Sequence, residues 1–499
     1  MMKLKAKDLD LSSGGKPVVI MNEGDAKKMD AHFGDRVCVK KGQKSCVAII
    51  DVSPNKKIVP PGTIAIFEEV ISQLKCRPSE QIEVSLEKKP DSVRFIKKKL
   101  DGLKLNYGEI NSIVEDIVNN RLSDSEITYF IAACYIKPMD FEETVNLTKA
   151  MVNTGDTIHF EPPVFDVHCI GGVAGNRTTP IIVPIVAEAG LVIPKTSSRA
   201  ITSPAGTADT IEVIAPVSFG ISGIKDIVKK TGACLVWGGA VSLAPADDKI
   251  IRLEYPLGID PESQLLASII AKKKSVSATH ILIDIPVGKG SKMEDMRRAK
   301  TLKEHFIKIG KALGINFEVM LSDGSQPIGN GFGAVLEMRD ILRVLNKSPN
   351  QPLDLKEKSI KMSGMMLEMS GKVKRGEGYL LAKEILESGR AMNKFRAIME
   401  AQGGFVPKEE ELKLGKFSYV FCAYNTGRVA HIDSALISQI CRAAGTPKDK
   451  TAGIYLHKHV DESINVGEPL MTLYSGNRDK LSGAIELLKK VGFSAVVIK

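Results

Sequence analysis

The sequence predicts an α/β multidomain protein. It should contain a helical lobe, a larger α/β lobe with a mainly parallel sheet, a small β-rich N-terminal domain and an α+β C-terminal domain. Three observations lead there. A chain of 499 residues is long enough for about three or more cores. Between residues 163 and 240, apolar strand-like runs alternate with helical ones, the pattern that builds parallel sheets covered by helices. Residues 94–153, by contrast, carry helical spacing alone. The expected boundaries are 1–85 for the β-rich domain, 90–160 completed by 245–278 for the helical lobe, 161–244 with 279–414 for the α/β lobe, and 415–499 for the last domain.

The elements follow in order. Val18-Val19-Ile20, Val37-Cys38-Val39, Val47 to Ile50 and Ile64-Ala65-Ile66 are short β-type runs divided by turn residues such as Gly34-Asp35 and Pro60-Pro61-Gly62. Glu87 to Asp91 reads as an exit linker. Ser123-Asp124-Ser125-Glu126 fits a capping box, and Leu122, Ile127, Phe130, Ile131 and Cys134 then recur on one helical face. Pro138-Met139-Asp140 ends that helix, and another follows through Thr144, Leu147 and Met151. Phe165 to Ile170, Leu191 to Pro194 and Ala233 to Trp237 are strands. His280 to Ile285 and Phe317 to Leu321 continue the sheet after a helical insertion near 245–278, with helices around 295–313 and 333–346. Near the C-terminus, Gly427 to Val429, Ile454 to Leu456 and Ser494 to Ile498 read as strands.

Composition excludes several classes. Hydrophobic residues at 43% and charged residues at 26% exclude a disordered or fibrous chain. No apolar run reaches the ~18–20 residues of a membrane-spanning helix, and the N-terminus lacks the apolar core of a secretory signal, so a cytoplasmic location is expected. Lys plus Arg number 69 against 59 Asp plus Glu, a net charge of +10 that favours anionic partners. Aromatics are only 5% and are not interleaved with the lysine clusters 97–99 and 272–274, which weakens a nucleic-acid-binding reading. The eight cysteines include no C-x-x-C pair and no zinc-like spacing, so they read as small buried hydrophobes and neither metal nor cofactor is expected.

Two loops are candidates for chemistry. His168-Cys169-Ile170-Gly171-Gly172-Val173-Ala174-Gly175-Asn176-Arg177-Thr178-Thr179 joins a strand to a helix. Its glycines allow close backbone approach to an anion, and the helix start presents free N–H groups. It lacks the G-x-x-x-x-G-K-[ST] pattern, so a P-loop is not indicated. A plain strand–helix turn needs the same glycines. The second loop, Lys195 to Thr207, follows the next strand and holds six hydroxyl residues, more than capping requires. Two such loops at one sheet rim point to a polyanion site.

A third group comprises Asp260, Ser268 and Lys272, with Lys289 and Lys292 in a glycine-loosened loop. Ser268 and Lys272 share a helix face. Asp260-Pro261 is a helix-start pair, with a simple N-cap as the alternative role for the aspartate. Asp247-Asp248 can be read as a magnesium pair, but hinge hydrogen bonding or capping is the stronger reading. His280 and His305 read as structural.

Taken together, these motifs resemble the thymidine and pyrimidine-nucleoside phosphorylase family. His168 to Val173 is similar to that family's K-H-S-T-G-G-V signature, Ser197 to Thr207 to its second phosphate loop, and Leu265 to Lys273 to its base-site helix. Ile285 to Gly290, Gln326 to Gly331, Ala452 to Lys458 and Gly467 to Leu470 follow in the family's order, and the resemblance spans about residues 94–499. Val167 and Cys169 replace the family's lysine and serine, one residue is added after Val173, and a domain of about 85 residues precedes the family core. With Thr196 to Ser203, those departures resemble the archaeal nucleoside-monophosphate branch.

That resemblance implies phosphorolysis of AMP, CMP or UMP by inorganic phosphate, giving free base and ribose 1,5-bisphosphate, in a homodimer or larger homo-oligomer. It implies Asp260 as proton donor and substrate contacts from Gly172, Ser198, Arg199, Ala200, Ile201, Thr202, Ser203, Thr207, Ser268 and Lys292. The residue types suit the chemistry. Backbone N–H groups and hydroxyls position a phosphate nucleophile. An enclosed carboxylic acid can protonate the departing base. Lys292 and Arg199 are suited to a 5′-phosphate. The implied alternatives are a thymidine or uridine phosphorylase, a magnesium-dependent phosphoribosyltransferase supported only by Asp247-Asp248, and a basic nucleic-acid-binding protein. If the lobes close on substrate, hinges are expected near 155–162, 240–247 and 277–280.

Overall fold

The computed structural model describes residues 1–200 and 203–499. The chain forms two compact units, Met1–Gly155 with Ala244–Ala271, and Asp156–Leu243 with Lys272–Lys499.

The first unit begins with six strands: β1 (Met2–Asp8), β2 (Val18–Asn22), β3 (Arg36–Lys41), β4 (Lys44–Ser53), β5 (Thr63–Ile66) and β6 (Gln81–Leu86). They close into a barrel in the order β1-β5-β2-β4-β3-β6. The period-2 pattern of strand side chains sends Leu4, Val19, Val37, Val39, Ile50, Ile64, Ile82 and Val84 into one core, all under 3% exposed. Four helices follow, Ser92–Leu100, Tyr107–Val118, Asp124–Ile136 and Phe141–Asn153. Three of them start with capping boxes, Asn106/Glu109, the expected Ser123/Glu126, and Asp140/Glu143. Each box satisfies backbone donors that a helix start leaves open, contributing about 1 kcal/mol. The inserted helices Pro245–Glu254 and Glu262–Lys274 place Ala246, Ile250, Ala267 and Ala271 in the same apolar core as Ile110, Ile113, Phe130 and Met151. Within that unit Lys99 Nζ sits 2.8 Å from a Glu143 carboxylate oxygen, both side chains 3% exposed.

In the second unit, β7 (Phe165–Cys169), β10 (His280–Val287) and β11 (Asn316–Asp323) pair in parallel in the order β11-β10-β7. Strands β8 (Ile193–Ser197) and β9 (Ala233–Trp237) form a second parallel pair. A single parallel bridge, Val164 to Val192, links the two sets. Helices cover these strands, and β9 (ACLVW) and most of β10 (HILIDIPV) are accordingly near-continuous apolar runs rather than alternating ones. The core behind them combines Phe165, Val167, Ile182, Ile193, Leu235 and Leu282 with Met338, Ile360, Met366 and Phe395.

Helices Leu353–Met369, Gly378–Glu387 and Arg390–Ala401 complete this layer, in a stretch where the sequence reading assigned no element. The last part packs helices Ser434–Ala444 and Arg478–Ala495 on antiparallel strands around Ile437, Ile440, Leu473 and Leu488. Here one expectation is corrected. Ser494 and Ala495 are the end of a helix, and strand geometry starts only at Val496. Leu481, Ala484 and Leu488 keep 3–4 spacing along the buried face, so the helical pattern overrides the apolar run Ala495 to Ile498 until that face is spent.

Candidate active site

The first loop leaves the C-terminal end of β7. Gly171 and Gly172 have φ of +93° and +92°, a region that L side chains rarely adopt. A Cβ on Gly172 would lie 2.2 Å from the backbone N of Lys292, so the loop runs directly against the segment that follows β10. That segment is braced in turn. Ser291 Oγ donates to the carbonyls of Gly288 and Met293 at 2.8 Å each, and Gly288 packs on Gly324 and Ser325 beyond β11. Gly172 and exposed Lys292, predicted from distant parts of the sequence, are therefore neighbours.

Arg177 ties this loop to the second one. Its guanidinium donates to the Ala205 carbonyl, two residues before Thr207, and its Nε is paired with Glu337. Glu337 is buried, and its carboxylate also accepts from Thr210 Oγ1 at 3.0 Å and from the Gly333 N–H at 3.3 Å. The second loop is folded on Asp209. One Asp209 oxygen accepts from the backbone N–H groups of Ala200 (2.7 Å) and Gly206 (2.8 Å). Gly206 has no room for a Cβ, which would lie 2.5 Å from the Ser198 carbonyl oxygen. Thr207 then opens the short helix Thr207–Ile211, and Ser203 Oγ donates to the Ala205 carbonyl at 2.8 Å. Ile201 and Thr202 lie outside the described residues.

Several sequence expectations are revised. Arg199 holds Glu212 through two nitrogens at 2.6 and 2.7 Å and Asp209 at 3.1 Å, with its guanidinium 4.9 Å from the Trp237 ring centre. These three hydrogen bonds make it a brace for the loop. Thr178 is 2% exposed and its hydroxyl faces Asn176, so it is not a presented donor. Lys195, Thr196 and Ser197 are the end of β8 rather than loop residues.

Asp260 precedes the helix by one more residue than the Asp–Pro rule suggests. Leu265 N–H donates to the Pro261 carbonyl, so Pro261 occupies the N-cap position. Asp260 is exposed, without the enclosure expected for a carboxylic acid donor. Asp260 and half-buried Ser268 belong to the first unit, while Gly172, Ser198 to Ala200, Ser203, Thr207 and Lys292 belong to the second. Asp247 and Asp248 stand in the first turn of the helix Pro245–Glu254, where carboxylates favour a helix N-terminus. Among the described residues no cluster of three or more His, Cys, Asp or Glu is arranged to hold a metal. His280 stacks on Phe165 with ring centres 4.8 Å apart, a packing role.

Sequence reasoning missed a set of buried charges under the loops. Asp166 on β7 is fully buried. Lys195 Nζ lies 3.0 Å from its Oδ1 and 2.7 Å from the Val167 carbonyl, and Lys273 Nζ lies 3.0 Å from its Oδ2. Burial first, then repulsion from Lys273, Lys195, Lys272 and Lys292, holds the His168 imidazole well below its usual range. The imidazole is therefore held neutral at the root of the glycine loop. A second buried group supports the same loop. Asp284 accepts from Asn176 Nδ2 (3.2 Å) and Ser322 Oγ (2.5 Å) and pairs with Lys358 Nζ (2.7 Å). Asn176 also reaches Cys169 Sγ at 3.1 Å, and burial pushes that thiol up to about 12, so Cys169 is a neutral packing residue. Ser197 Oγ is buried at the end of β8 without a hydrogen-bond partner. A lone Asp and a lone Lys inside apolar strand runs were the available signal for Asp166 and Lys195.

This geometry provides glycine backbone, hydroxyls and the exposed Lys292 segment at the C-terminal ends of β7, β8 and β10, where open α/β sheets bind ligands. Chemically it suits a phosphate-sized anion.

Comparisons with known proteins agree with this chemistry. Residues 93–155 match the model described as "Glycosyl transferase family, helical bundle domain", and residues 429–492 match "Pyrimidine nucleoside phosphorylase C-terminal domain". A protein of Thermococcus kodakarensis named AMP phosphorylase is 46% identical over 98% of this chain and 97% of its own length. A protein of Legionella pneumophila named putative thymidine phosphorylase is 44% identical over 91% of this chain and 87% of its own. The solved anthranilate phosphoribosyltransferase of Thermus thermophilus shares the fold, with a TM-score of 0.51 and 16% identity, over 62% of this chain and 99% of that one. At that level of full-length identity to named relatives, the chain belongs to the AMP phosphorylase family.

Proposed function

We propose that the protein catalyses the phosphorolysis of AMP, and also of CMP and UMP, releasing free base and ribose 1,5-bisphosphate. The observation that carries the reading is the pair of donor-rich loops, cross-linked by Arg177, with Lys195 at the end of the strand that leads into the second and the Lys292 segment against Gly172 of the first. In this reading inorganic phosphate is held by the Gly172 backbone and by hydroxyls of Ser198, Ser203 and Thr207, and attacks the anomeric carbon as the bond to the base breaks. The transition state gains oxocarbenium character, so positioning of the nucleophile contributes more than its activation. The base leaves with electron density on its ring, and Asp260 is assigned the proton donor. Ser268 is assigned to the base and Lys292 to the 5′-phosphate. The protein works as a homodimer or larger homo-oligomer in the cytoplasm. No helix among the described residues is long and apolar enough to cross a membrane.

The test is release of free base from AMP, CMP, UMP and thymidine, with and without phosphate and with a chelator. Phosphate-dependent release from the nucleotides, unaffected by chelator, supports the proposal. The thymidine phosphorylase reading has its own observation, the name of the Legionella relatives, and release from thymidine would favour it. No release under any condition would return the binding-protein reading. The Lys292 assignment has a separate check. Lys292→Ala should lower kcat/KM for AMP far more than for a nucleoside, and equal losses would remove that role.

A further inference from the structure

Two carboxylates of one helix, Ala334–Leu345, hold the two loops from behind. Glu337 and Asp340 lie three residues apart on one helix face and are at most 2% exposed. Asp340 accepts from the backbone N–H groups of Asn330 and Gly331 at 2.7 Å each, which fixes the turn ahead of the helix. From that turn Ile328 N–H donates to the Ala174 carbonyl at 3.0 Å, and a Cβ on Gly175 would lie 2.1 Å from the Ile328 carbonyl oxygen. The far end of the first loop is thereby pinned. Glu337 serves the second loop. It accepts from Thr210 Oγ1, a hydroxyl that also lies 3.0 Å from the Gly206 carbonyl, and from Arg177. Arg177, 11% exposed, is the strut between the loops. Its Nε faces Glu337, one terminal nitrogen donates to the Asn176 carbonyl at 3.2 Å, and the other donates to the Ala205 carbonyl. That last oxygen also accepts from Ser203 Oγ at 2.8 Å, so a candidate phosphate contact is anchored on the atom the strut holds. A plain ion pair would need Nε alone. Reaching the backbone of both loops as well is what the fixed, planar fork of a guanidinium adds.

We propose that Arg177 and Glu337 are positioning residues that set the spacing of the two loops. Through that spacing they fit inorganic phosphate between the Gly172 backbone and the hydroxyls of Ser203 and Thr207. The pair is neutral as a whole, so it acts by placing these groups and not by adding charge. Neither is a catalytic residue, because the guanidinium nitrogens face protein oxygens and Glu337 is buried behind them. The inference rests on the phosphorolysis reading for its kinetic arm, while its binding arm follows phosphate alone and is independent of turnover.

The experiment compares the full-length wild type with Arg177→Lys, Arg177→Met and Thr210→Val. Thermal melting is followed with and without inorganic phosphate, and KM for phosphate and for AMP are measured. Arg177→Lys keeps a positive charge opposite Glu337, but one ammonium cannot span Glu337 and both carbonyls. It should melt close to the wild type without phosphate, and the upward shift caused by phosphate should shrink. Its KM for phosphate should rise on the order of tenfold, the scale of one hydrogen bond to a charged group, with KM for AMP within about twofold. Arg177→Met leaves Glu337 buried without its partner and should melt clearly lower, yet raise KM for phosphate no further. Thr210→Val trims one hydroxyl from the same joint and spares the ion pair. Its KM for phosphate should rise a few-fold at near wild-type melting, which decides the matter if the arginine variants do not fold. If Arg177→Lys melts lower and keeps the wild-type phosphate shift, the arginine is structural and the proposal is overturned. A rise in KM for phosphate confined to Arg177→Met would assign the effect to charge and overturn it, as would equal rises in both KM values. So would an unchanged KM for phosphate in Thr210→Val when the arginine variants do not fold. Should the wild type release no adenine from AMP, the phosphorolysis reading fails. The melting shifts with phosphate then still decide the inference.

Discussion

Alanine at Gly172, set beside alanine at Gly171, separates the position of a loop from its strain. The two glycines have nearly the same φ, +93° and +92°, so each substitution carries the same left-handed penalty, about 1–3 kcal/mol of folding free energy. They differ in what a Cβ meets. At Gly171 nothing lies within 4 Å, whereas at Gly172 the new carbon would be 2.2 Å from Lys292 N and 3.0 Å from the Ser291 carbonyl carbon. Ordinary contact is about 3.5 Å, so about 1.3 Å of backbone must give way, and backbone cannot rotate aside as a side chain would. A misplacement of about 1 Å can lower a rate about 10²-fold, equivalent to about 2.7 kcal/mol of transition-state stabilisation. The assay is kcat/KM for phosphate with AMP saturating, alongside thermal melting of each variant. Gly171→Ala should melt lower and lose activity modestly, and Gly172→Ala should fall a further ~10²-fold in kcat/KM. Equal activity in the two variants would refute the claim that contact between these loops sets the site.

Other outcomes follow from the same geometry. Asp260→Asn should lower kcat for AMP by about 10²–10⁴-fold, the usual scale of general-acid loss, with KM for phosphate little changed, as initial rates of adenine release would report. Asp284→Asn leaves Lys358 without its buried partner and should destabilise the fold by about 3–5 kcal/mol, read by calorimetry, with Asn176 and the glycine loop loosened. The Arg199 clamp gives a pH signature. Its hydrogen bonds, and then the Lys450 pairing, lower the Glu212 carboxyl to about 2, against partial burial that opposes the shift. A depressed carboxyl stabilises the fold above its unfolded value of about 4.3 and loses that contribution as pH falls toward 2. Wild type should therefore melt above Glu212→Gln near neutrality, and the two melting curves should converge as pH drops through that window.

The sequence was most legible where one rule acted alone. Capping at Ser123 and Glu126, the run Ala233 to Trp237 and the glycines at 171 and 172 all fell where local chemistry placed them. Proximity of Gly172 to Lys292 was not legible from pattern, because 120 residues separate them and only the parallel pairing of β7 with β10 brings their loops together. Arg199 illustrates a different limit. Its type suits phosphate, but whether a guanidinium faces a ligand or a carboxylate depends on Asp209 and Glu212 one helix later. Lys195 misled for a related reason. Among six hydroxyls it read as another surface donor, while strand geometry carried it inward to Asp166. The helix Leu353–Met369 escaped because methionines, Gly364 and scattered charges blurred its period, whereas the apolar 3–4 spacing of Ala382, Ile385 and Leu386 and of Ala391, Phe395, Ile398 and Met399 was legible and was passed over.

The N-terminal barrel ends where it begins. β1 and β6 are antiparallel neighbours, with Met2 opposite Val84, so the polypeptide enters and leaves this module at one doorway. The module is thereby complete in itself and asks nothing of the spacing of the segments downstream. Ion pairs from Arg36 to Glu126 and from Lys16 to Asp124 tie it to the helices that follow. A closed circuit of strands also offers no open hem for another polypeptide to stitch onto.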